Sequence, residues 1–288
     1  HLTVECRPRV EEGIALGPCT GTAASWPQGE DNLLVQALRR GLHGLGAKVP
    51  RDETHAGLEL RAHSEIPVAR GLGSSGAAIA AGLCLARALA GEDPDQPPGP
   101  DLLEWALEME GHPDNSSASL LGGCTLGVPL ATGLSVIQPE FHPSIGIALA
   151  WPTTSLTTQT ARAALPDSLP HADAVENPRR LALLLEGLRL GEALLLREGL
   201  QDRLHVPYRL PLIPGAEAAL QAARVAGAYG ATISGSGSAL VALGPKGQME
   251  PVAEAMAAAL DPGGEPAEGR VVEPVQGFPR VTSLSGGP

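Results

Sequence analysis

The sequence predicts an α+β fold with two domains, and three observations lead to this prediction. Segments that alternate apolar and polar residues, as strands do, are interspersed with segments of helical spacing. The order of these segments lacks the strict strand–helix–strand alternation of a doubly wound sheet. A buried strand over residues 145–150 runs into Trp151 and Pro152, where we expect a second domain to open. We therefore predict domains over residues 1–143 and 144–288.

The predicted elements follow from the same periodicities, taken in chain order. Strands are predicted at residues 2–6, 58–62, 124–128, 135–137, 145–150, 231–233, 239–242 and 270–275. Helices are predicted at residues 32–42, 79–90, 101–110, 116–121, 216–226 and 249–260, with further helices after a polar loop at 153–160. Asp31 or Asn32 would cap the first helix, and residues 13–29 are rich in turn-forming residues. Residues 286–288 are predicted to form a disordered tail.

Composition limits the classes of function. The net charge of −12 argues against a broad basic face for nucleic acid, because neutralising a phosphate backbone needs clustered Lys and Arg. No apolar run is long enough for a membrane span, so we expect neither a nucleic-acid nor a membrane partner. Aromatic residues are only 2% of the chain, so the core must be built from Leu, Val, Ile and Ala. The four cysteines form no close pair, which predicts reduced thiols in a cytoplasmic protein: Cys6, Cys19, Cys84 and Cys124.

A glycine-rich stretch at residues 67–77 is the strongest candidate for a binding site. Its three glycines let the backbone turn tightly and approach a ligand closely, since no Cβ intervenes: Gly71, Gly73 and Gly76. The apolar helix that follows directs its unpaired N–H groups and the positive end of its dipole at the loop. Ser74 and Ser75 add hydroxyl groups where a phosphate or a magnesium ion would lie. The pattern therefore predicts a polyphosphate site.

Other interpretations of this stretch are weaker. A dinucleotide-binding loop would need a strand running directly into the first glycine and an acidic residue about 20 positions later at a strand end. Pro67 interrupts the approach here, and the acids at that distance lie in the proline-rich segment 91–100. A Walker loop is excluded, because no Gly-Lys-Ser or Gly-Lys-Thr follows. A glycine-rich loop that only caps a helix stays open as the simplest alternative.

The unbroken string Pro-x-x-x-Gly-Leu-Gly-Ser-Ser, from Pro67 to Ser75, resembles the second motif of the GHMP kinases, a family of small-molecule kinases. The resemblance implies ATP as a bound substrate. It also implies a two-domain fold, with an N-terminal ribosomal-protein-S5-like domain and a C-terminal ferredoxin-like α/β-plait domain. The nucleotide contacts that it implies are Pro67, Arg70, Gly71, Leu72, Gly73, Ser74, Ser75 and Gly76.

The turn over residues 111–115 holds an imidazole and a carboxylate two positions apart, so that both can reach one small polar substrate. From the residues alone, Asp114 or Asn115 serves equally well as the cap of the next helix. The segment resembles the His-x-Asp-Asn of the homoserine kinases within the family. The resemblance implies that His112 and Asp114 bind an amino-acid substrate, and Asp114 is the one nearby acid that we consider as a catalytic residue.

Glu104 is the predicted metal ligand. It lies eight residues before His112, and by that spacing it resembles the acid that holds magnesium with a serine of the phosphate loop, here Ser74. One carboxylate, one hydroxyl and phosphate oxygens are a sensible set of ligands for Mg²⁺. Two alternatives stay open: Glu104 can close a capping box with Asp101, and Glu108, one turn away, can serve instead.

Two arginines are the predicted contacts of a substrate carboxylate. Residues 152–166 resemble a homoserine-kinase segment with a threonine four residues before an arginine, here Thr158 and Arg162. Residues 202–209 resemble Asp-Arg-x-His-Glu-Pro-Tyr-Arg, with valine in place of the glutamate and Arg209 at the end. A guanidinium group can bind a carboxylate through two hydrogen bonds, although a solvated loop arginine is the simpler alternative. The resemblance implies substrate binding by Thr158, Arg162 and Arg209, and a catalytic role for Arg162.

A second glycine-rich segment, residues 227–238, resembles the third motif of the family. Its backbone N–H groups can form an anion-binding nest beside the first loop, although a glycine-rich hairpin is the simpler interpretation. The resemblance adds four nucleotide contacts: Ser234, Gly235, Ser236 and Gly237. The family's first motif, Pro-x-x-x-x-Asn-Leu-Gly-Pro-Gly-Phe-Asp, is absent, and residues 2–5 look like the strand that follows it. Either the sequence begins just after that motif or the protein is impaired.

The resemblance as a whole implies homoserine kinase activity on the route to threonine. The γ-phosphoryl group of ATP would pass to the side-chain hydroxyl of L-homoserine, with Mg²⁺ as the metal ion, and a homodimer is an allowed assembly. Two alternatives stay open. One is another GHMP kinase, of the mevalonate-pathway type, and the other is a non-catalytic nucleotide-binding protein that lacks the first motif.

Overall fold

The computed structural model describes residues 1–52, 54–260 and 266–283, so the predicted tail at residues 286–288 lies outside the described residues. The chain divides into two compact units. The N-terminal unit comprises His1–Pro67, Gly73–Gln138 and Val275–Pro288, and the C-terminal unit comprises Val68–Leu72 and Pro139–Pro274. The main division falls after Gln138, and the first half of the glycine-rich loop belongs to the C-terminal unit.

The N-terminal unit combines a mixed sheet with helices. Its strands are β1 (Leu2–Arg9), β2 (Gly13–Leu16), β3 (Thr20–Gly21), β4 (Gly57–Ser64), β5 (Leu126–Leu130) and β6 (Gly133–Ile137). Its α-helices are α1 (Leu33–Gly44), α2 (Ser74–Leu89), α3 (Pro100–Glu110) and α4 (Asp114–Leu121), and a 3₁₀ turn spans Thr22–Ser25. Strand β4 pairs antiparallel with β1 and parallel with β2 and β3, whereas β5 and β6 form a separate antiparallel hairpin.

The predicted turn region at residues 13–29 contains the short strands β2 and β3. The sequence indicated only that this region is rich in turn-forming residues, and β2 was not predicted, because it pairs in parallel with β4, which lies more than forty residues further along the chain. The Gly-Ile-Ala-Leu sequence of β2 has no alternation and is too short for a periodicity to be read. Its conformation follows from the hydrogen bonds of a distant strand rather than from local preference.

The helix pair α1–α2 fixes the position of α2, the helix that follows the glycine-rich loop. A Cβ on Gly82 of α2 would lie 2.6 Å from the Cβ of Ala37, and a Cβ on Gly41 of α1 would lie 2.5 Å from the Cβ of Ala86. These distances leave no room for a larger side chain at either glycine, so the two helices approach closely. The largest fully buried side chains of this unit are aliphatic, as the composition predicts: Leu34, Leu38, Leu60, Ile79, Leu83 and Leu120.

The C-terminal unit is an α/β-plait. Its elements are β7 (Ile145–Trp151), α5 (Thr158–Ala163), α6 (His171–Leu190), α7 (Ala193–Gly199), α8 (Val206–Arg209), α9 (Ala216–Val225), β8 (Gly230–Ile233), β9 (Leu240–Pro245), α10 (Met249–Ala259) and β10 (Glu268–Val272), with 3₁₀ turns at Leu210–Leu212 and Lys246–Gln248. The sheet order is β10–β7–β9–β8, and every neighbouring pair is antiparallel. The order strand–helices–strand–strand–helix–strand is that of the predicted ferredoxin-like arrangement. Helices α9 and α10 pack on this sheet through small and aliphatic side chains: Ala219, Ala223, Val252, Ala253 and Met256.

Two further expectations can be compared with the structure. Among the residues with described positions, no helix is both long and apolar enough to cross a bilayer. The four cysteines are all free, as predicted. Burial raises the pKa of Cys6 and of Cys84 to about 11, so these thiols stay protonated at neutral pH.

Asn32 caps α1. Its Oδ1 accepts hydrogen bonds from the N–H groups of Leu34 and Val35 at 3.0 and 3.2 Å, and its Nδ2 donates to the carbonyl of Pro27 at 2.8 Å. We expect Asn32→Ala to lower the free energy of unfolding by about 1–2 kcal/mol, because the cap is lost at a buried site. The exposed neighbour offers a matched control, since Asp31→Ala should cost less than about 0.5 kcal/mol. Urea unfolding measures both, and equal losses would contradict the assignment of the cap.

Candidate active site

The first half of the glycine-rich loop, Val68–Leu72, lies against the second glycine-rich segment within the C-terminal unit. The N–H group of Ala239 donates to the carbonyl of Arg70, and the Ser234 Oγ donates to the carbonyl of Gly71, both at 2.9 Å. Gly71 has a φ of +72°, and a Cβ there would overlap the carbonyl oxygen of Ser234. Only glycine permits this approach. The two segments therefore lie side by side, as predicted.

Arg70 braces the backbone of this loop. Its Nε donates to the carbonyl of Pro152 at 3.0 Å, its Nη1 donates to those of Val68 and Ala69 at 3.2 and 3.4 Å, and its Nη2 donates to that of Thr153. Burial lowers the pKa of Arg70. Ala69 has a φ of +56°, a left-handed conformation that costs a residue with a Cβ about 1–2 kcal/mol. The carbonyl contacts of Arg70 hold the loop in this strained conformation, whereas its predicted contact with nucleotide stays a prediction.

The second half of the loop forms the start of α2 in the N-terminal unit. Gly73, with a φ of +77°, is the N-cap residue, and no side chain caps the helix. The first N–H groups of α2, at Ser74, Ser75 and Gly76, have no acceptor within the helix and carry the positive end of its dipole. A Cβ on Gly76 would lie 2.8 Å from the Cβ of Asn115, so glycine allows α2 to approach α4. The open start of a long helix suits the binding of an anion.

Glu110, at the end of α3, is an acid beside the loop that the sequence did not single out. Its Oε1 accepts a hydrogen bond from the Ser75 Oγ, and its Oε2 accepts one from the N–H group of Ser116, both at 3.0 Å. One carboxylate thus joins the first turn of α2 to the first turn of α4. A signal was present in the sequence, because Glu110 stands two residues before His112 and ends the predicted helix.

Glu104 and Glu108 lie elsewhere on α3. The Glu104 carboxylate lies against Gly133 in the β5–β6 hairpin, close enough to overlap a Cβ placed there. Glu108 forms an exposed ion pair with Arg40 at 2.7 Å. Helix α3 begins without a side-chain cap, so the capping box considered for Glu104 is not formed. In the described part of the chain, neither acid hydrogen-bonds a loop serine, and the role of Glu104 as a metal ligand stays a prediction.

His112 and Asp114 lie at the turn between α3 and α4. Their Nδ1 and Oδ2 atoms are 3.6 Å apart, which is too long for a hydrogen bond. The His112 Nδ1 is buried and has no hydrogen-bond partner among the described residues. Helix α4 begins after Pro113 without a side-chain cap, so the alternative that Asp114 merely caps it is not supported. A buried ring nitrogen without a partner is costly, and a ligand that supplies one would remove that cost.

Arg162 and Arg209 come together in the C-terminal unit. The Arg209 Nε donates to the carbonyl of Ala161, the residue before Arg162, and its Nη1 donates to the carbonyl of Gly235, both at 3.3 Å. Burial lowers the pKa of Arg209, the charge of Asp202 opposes this shift, and the nearby positive charge of Arg162 adds to it. Arg162 itself is exposed and has no acid partner in the residues that the structure describes. Two neighbouring guanidinium groups without a shared acid favour the binding of an anion.

Thr158 is the first residue of α5, a helix whose start was predicted as a polar loop. Thr157 caps α5, because its Oγ1 accepts a hydrogen bond from the N–H group of Thr160 at 3.1 Å. The Thr158 Oγ1 lies 3.5 Å from the Oγ of Ser236, so the predicted threonine contact lies beside the second glycine-rich segment. The start of α5 is set by the Thr157 cap. Apolar periodicity could not predict this helix, because six residues are too few to show it.

The two left-handed glycines of the loop provide a matched pair for mutation. A Cβ on Gly71 would overlap the Ser234 carbonyl oxygen, whereas the nearest atom to a Cβ on Gly73 is the Asn115 Cβ at 3.7 Å. We expect Gly73→Ala to lower the free energy of unfolding by about 1–2 kcal/mol through backbone strain alone. Gly71→Ala should cost about 1–3 kcal/mol more, because the overlap forces the backbone to shift. Urea unfolding compares the two variants, and a smaller loss for Gly71→Ala would contradict the described contact.

Comparison with known proteins identifies the family. The model of the GHMP kinases N terminal domain matches residues 32–123, and that of the GHMP kinases C terminal domain matches residues 181–261. A homoserine kinase of Trichormus variabilis is 41% identical over 252 residues, which are 87% of this chain and 80% of the relative. A homoserine kinase of Synechococcus sp. is 44% identical over 229 residues, which are 79% of this chain and 70% of the relative.

A solved structure supports the same assignment. The crystal structure of a homoserine kinase from Cytophaga hutchinsonii matches with a TM-score of 0.83 and 28% identity, and the match covers 95% of this chain and 86% of that one. The fold, the sequence relatives and both family models agree. The chain therefore belongs to the GHMP kinase family and, within it, to the homoserine kinases.

Proposed function

We propose that this protein is a homoserine kinase, which transfers the γ-phosphoryl group of ATP to the side-chain hydroxyl of L-homoserine on the route to threonine. The observation that carries the proposal is the identity of 41% and 44% to homoserine kinases over most of the chain. Family membership makes the protein an ATP-dependent kinase that acts on a hydroxyl group. A kinase of the mevalonate-pathway type is not favoured, because these close relatives are homoserine kinases.

The nucleotide phosphates are assigned to the two glycine-rich segments. The N–H groups at the start of α2 and those of Gly235 and Ser236 supply donors that need no reorganisation when an anion arrives, whereas the N–H groups of Ser234 and Gly237 already donate to carbonyls of the protein. The contacts of Gly71 with Ser234 hold the first half of the loop beside that nest. Phosphoryl transfer depends mainly on positioning and on stabilising charge, and fixed backbone donors contribute to both.

Two acids are candidates for the magnesium site: Glu104 with Ser74, as its spacing from His112 implies, and Glu110 with Ser74 and Ser75, which we favour because Glu110 contacts Ser75. Among the described residues, no group of three or more His, Cys, Asp or Glu side chains is arranged to hold a metal ion. Mg²⁺ does not need such a group, because it commonly binds one or two carboxylates together with substrate phosphates. Glu110 already accepts from Ser75, and an ionised carboxylate has about four lone-pair sites, so acceptor capacity remains. When bound, the ion would neutralise charge on the phosphate oxygens.

The substrate is assigned to two sets of side chains. His112 and Asp114 would bind polar groups of homoserine, since the His112 Nδ1 is buried without a partner and the Asp114 side chain is 73% exposed. Arg162 and Arg209 would bind its carboxylate through charge-assisted hydrogen bonds. Asp114 is the acid that we consider for accepting the hydroxyl proton. Arg162 is proposed as a second catalytic residue, because its guanidinium has no competing acid in the part of the chain that is described.

Cytoplasmic location and assembly into a homodimer are further predictions. Four unpaired thiols are compatible with a reducing compartment. Analytical ultracentrifugation would test the dimer.

A substrate panel tests the proposed function. The full-length protein would be incubated with ATP and Mg²⁺ and with homoserine, mevalonate or galactose, and ADP release would be followed. The proposal predicts the highest kcat/KM for homoserine and formation of its phosphate ester. Preference for mevalonate would contradict it, and nucleotide binding without turnover of any substrate would favour the non-catalytic alternative.

Variants of three acids on α3 show which of them is the metal ligand. We expect Glu110→Gln to lower magnesium-dependent kcat by about ten- to hundredfold, the equivalent of one lost charge-assisted contact. Glu104→Gln and Glu108→Gln should change it by less than about threefold. Initial rates over a range of Mg²⁺ concentrations measure the effect, and thermal unfolding of each variant reports whether the Ser116 contact of Glu110 is also structural. A larger loss in Glu104→Gln than in Glu110→Gln would return the role to Glu104.

The arginine pair is tested by discrimination between substrates. We expect Arg162→Ala and Arg209→Ala each to lower kcat/KM for homoserine by about ten- to hundredfold, because each removes a charge-assisted hydrogen bond. An amino alcohol without the carboxylate should be affected little, so the variants lose discrimination. Arg→Lys should rescue only in part, since an ammonium group lacks the planar fork.

The control for this pair is Arg224→Ala, an exposed arginine of α9. Because the Arg209 Nη1 also donates to Gly235, the KM for ATP shows whether Arg209→Ala acts through the glycine-rich segment instead. Equal losses for both substrates would show that the arginines do not bind the carboxylate.

A further inference from the structure

Asp202 organises the segment that ends in Arg209. Its Oδ1 accepts hydrogen bonds from the N–H groups of Leu204, His205 and Val206 at 2.7, 2.6 and 3.3 Å. Its Oδ2 lies 2.9 Å from the Nδ1 of the His205 ring. One carboxylate therefore satisfies the donors at the start of α8 and also holds the imidazole beside them.

Helix α8 depends on such contacts because it is a single turn of four residues, Val206–Arg209. Forming the first turn of a helix is unfavourable, and a helix this short has no stability of its own. At its far end, Arg209 donates to the carbonyls of Ala161 and Gly235. The cap at the start of α8 and the guanidinium at its end thus belong to one short element.

One side of the segment that contains α8 faces a cavity and is not packed against other residues. A cavity of about 240 Å³ lies within the C-terminal unit, and its lining includes Asp202, His205, Val206 and Arg209. Val206 packs against the core of the unit, but side chains that line the cavity lack packed protein neighbours on that side. The hydrogen bonds of Asp202 therefore add to the restraint that packing provides.

The negative charge of Asp202 also acts on Arg209. Burial alone would raise the pKa of Asp202, but hydrogen bonds from the His205 ring and from the N–H groups of the turn hold it well below its usual range. The carboxylate is therefore ionised at neutral pH. Its negative charge raises the pKa of Arg209 and opposes the effect of Arg162.

We propose that Asp202 is a positioning residue for Arg209, which it holds, through the cap of α8 and the His205 ring, in the orientation that meets the substrate carboxylate. The inference rests on the proposed function of Arg209. In this proposal Asp202 acts through Arg209 and not on the substrate, because its Oδ1 serves the turn and its Oδ2 faces the His205 ring.

Kinetics of Asp202→Ala and Asp202→Asn test the inference in the full-length protein. We expect Asp202→Ala to raise the KM for homoserine by about three- to thirtyfold, the equivalent of the stability that a lost cap costs the turn holding Arg209, with kcat and the KM for ATP changed by less than about twofold. Asp202→Asn keeps one carbonyl acceptor for the turn and should fall between Asp202→Ala and wild type. The matched control is Asp167→Asn, an exposed acid of the same unit, which should behave as wild type.

A double-mutant cycle with Arg209→Ala distinguishes positioning from general stability. If Asp202 acts through Arg209, then Asp202→Ala adds less than about twofold to the KM for homoserine once Arg209 is gone. A full further loss in the double variant would overturn the inference, because it would show that Asp202 acts independently of the arginine.

Hydrogen exchange provides a readout that does not depend on activity. In wild type, the amides of Leu204, His205 and Val206 should be protected, and Asp202→Ala should speed their exchange at least about tenfold with little change in the rest of the unit. Unchanged protection would overturn the inference whatever the kinetics show. Failure of the wild type to phosphorylate homoserine would instead overturn the proposed function, and exchange would then still decide whether Asp202 holds α8.

Discussion

Gly71 lies where any Cβ would overlap the carbonyl oxygen of Ser234, and the part of the candidate site in the C-terminal unit depends on this contact. The approach brings the carbonyl of Arg70 within 2.9 Å of the N–H group of Ala239 and so sets two glycine-rich segments side by side. The guanidinium of Arg209 is tied to the same place, because it donates to the carbonyl of Gly235. A single backbone constraint thus influences both the predicted phosphate donors and a predicted substrate contact.

Local positive charge allows this acidic protein to bind anionic substrates. The chain has a net charge of −12, so its overall field opposes the approach of a nucleotide. The start of α2 contributes free N–H groups and a helix dipole that does not depend on side-chain charge. Arg162 and Arg209 contribute two guanidinium groups, of which Arg209 is partly desolvated. Binding of each anion is therefore attributed to a few oriented donors rather than to a basic surface.

Local chemistry explains which features the sequence predicted. Asn32 caps α1 because its side chain reaches the next N–H groups, a relation contained within four residues. The order of strands in the C-terminal unit followed from short alternating segments and from the family resemblance. Strand β2 and the contact of Glu110 with Ser75 were missed, because both depend on partners that only the fold brings near. Glu104 has the expected spacing from His112 and its carboxylate lies against Gly133, so its role as a metal ligand stays a prediction.

The most direct test of this account is hydrogen exchange, by mass spectrometry, of the full-length protein with and without a saturating non-hydrolysable ATP analogue and Mg²⁺. The account predicts slower exchange on nucleotide binding in peptides that cover residues 68–77 and 234–239, because both segments donate backbone N–H groups to the phosphates. Hydrogen exchange of peptides that cover α6 should not change on nucleotide binding. Nucleotide binding that leaves residues 68–77 unprotected would contradict the assignment of the glycine-rich loop, and with it the arrangement of the site.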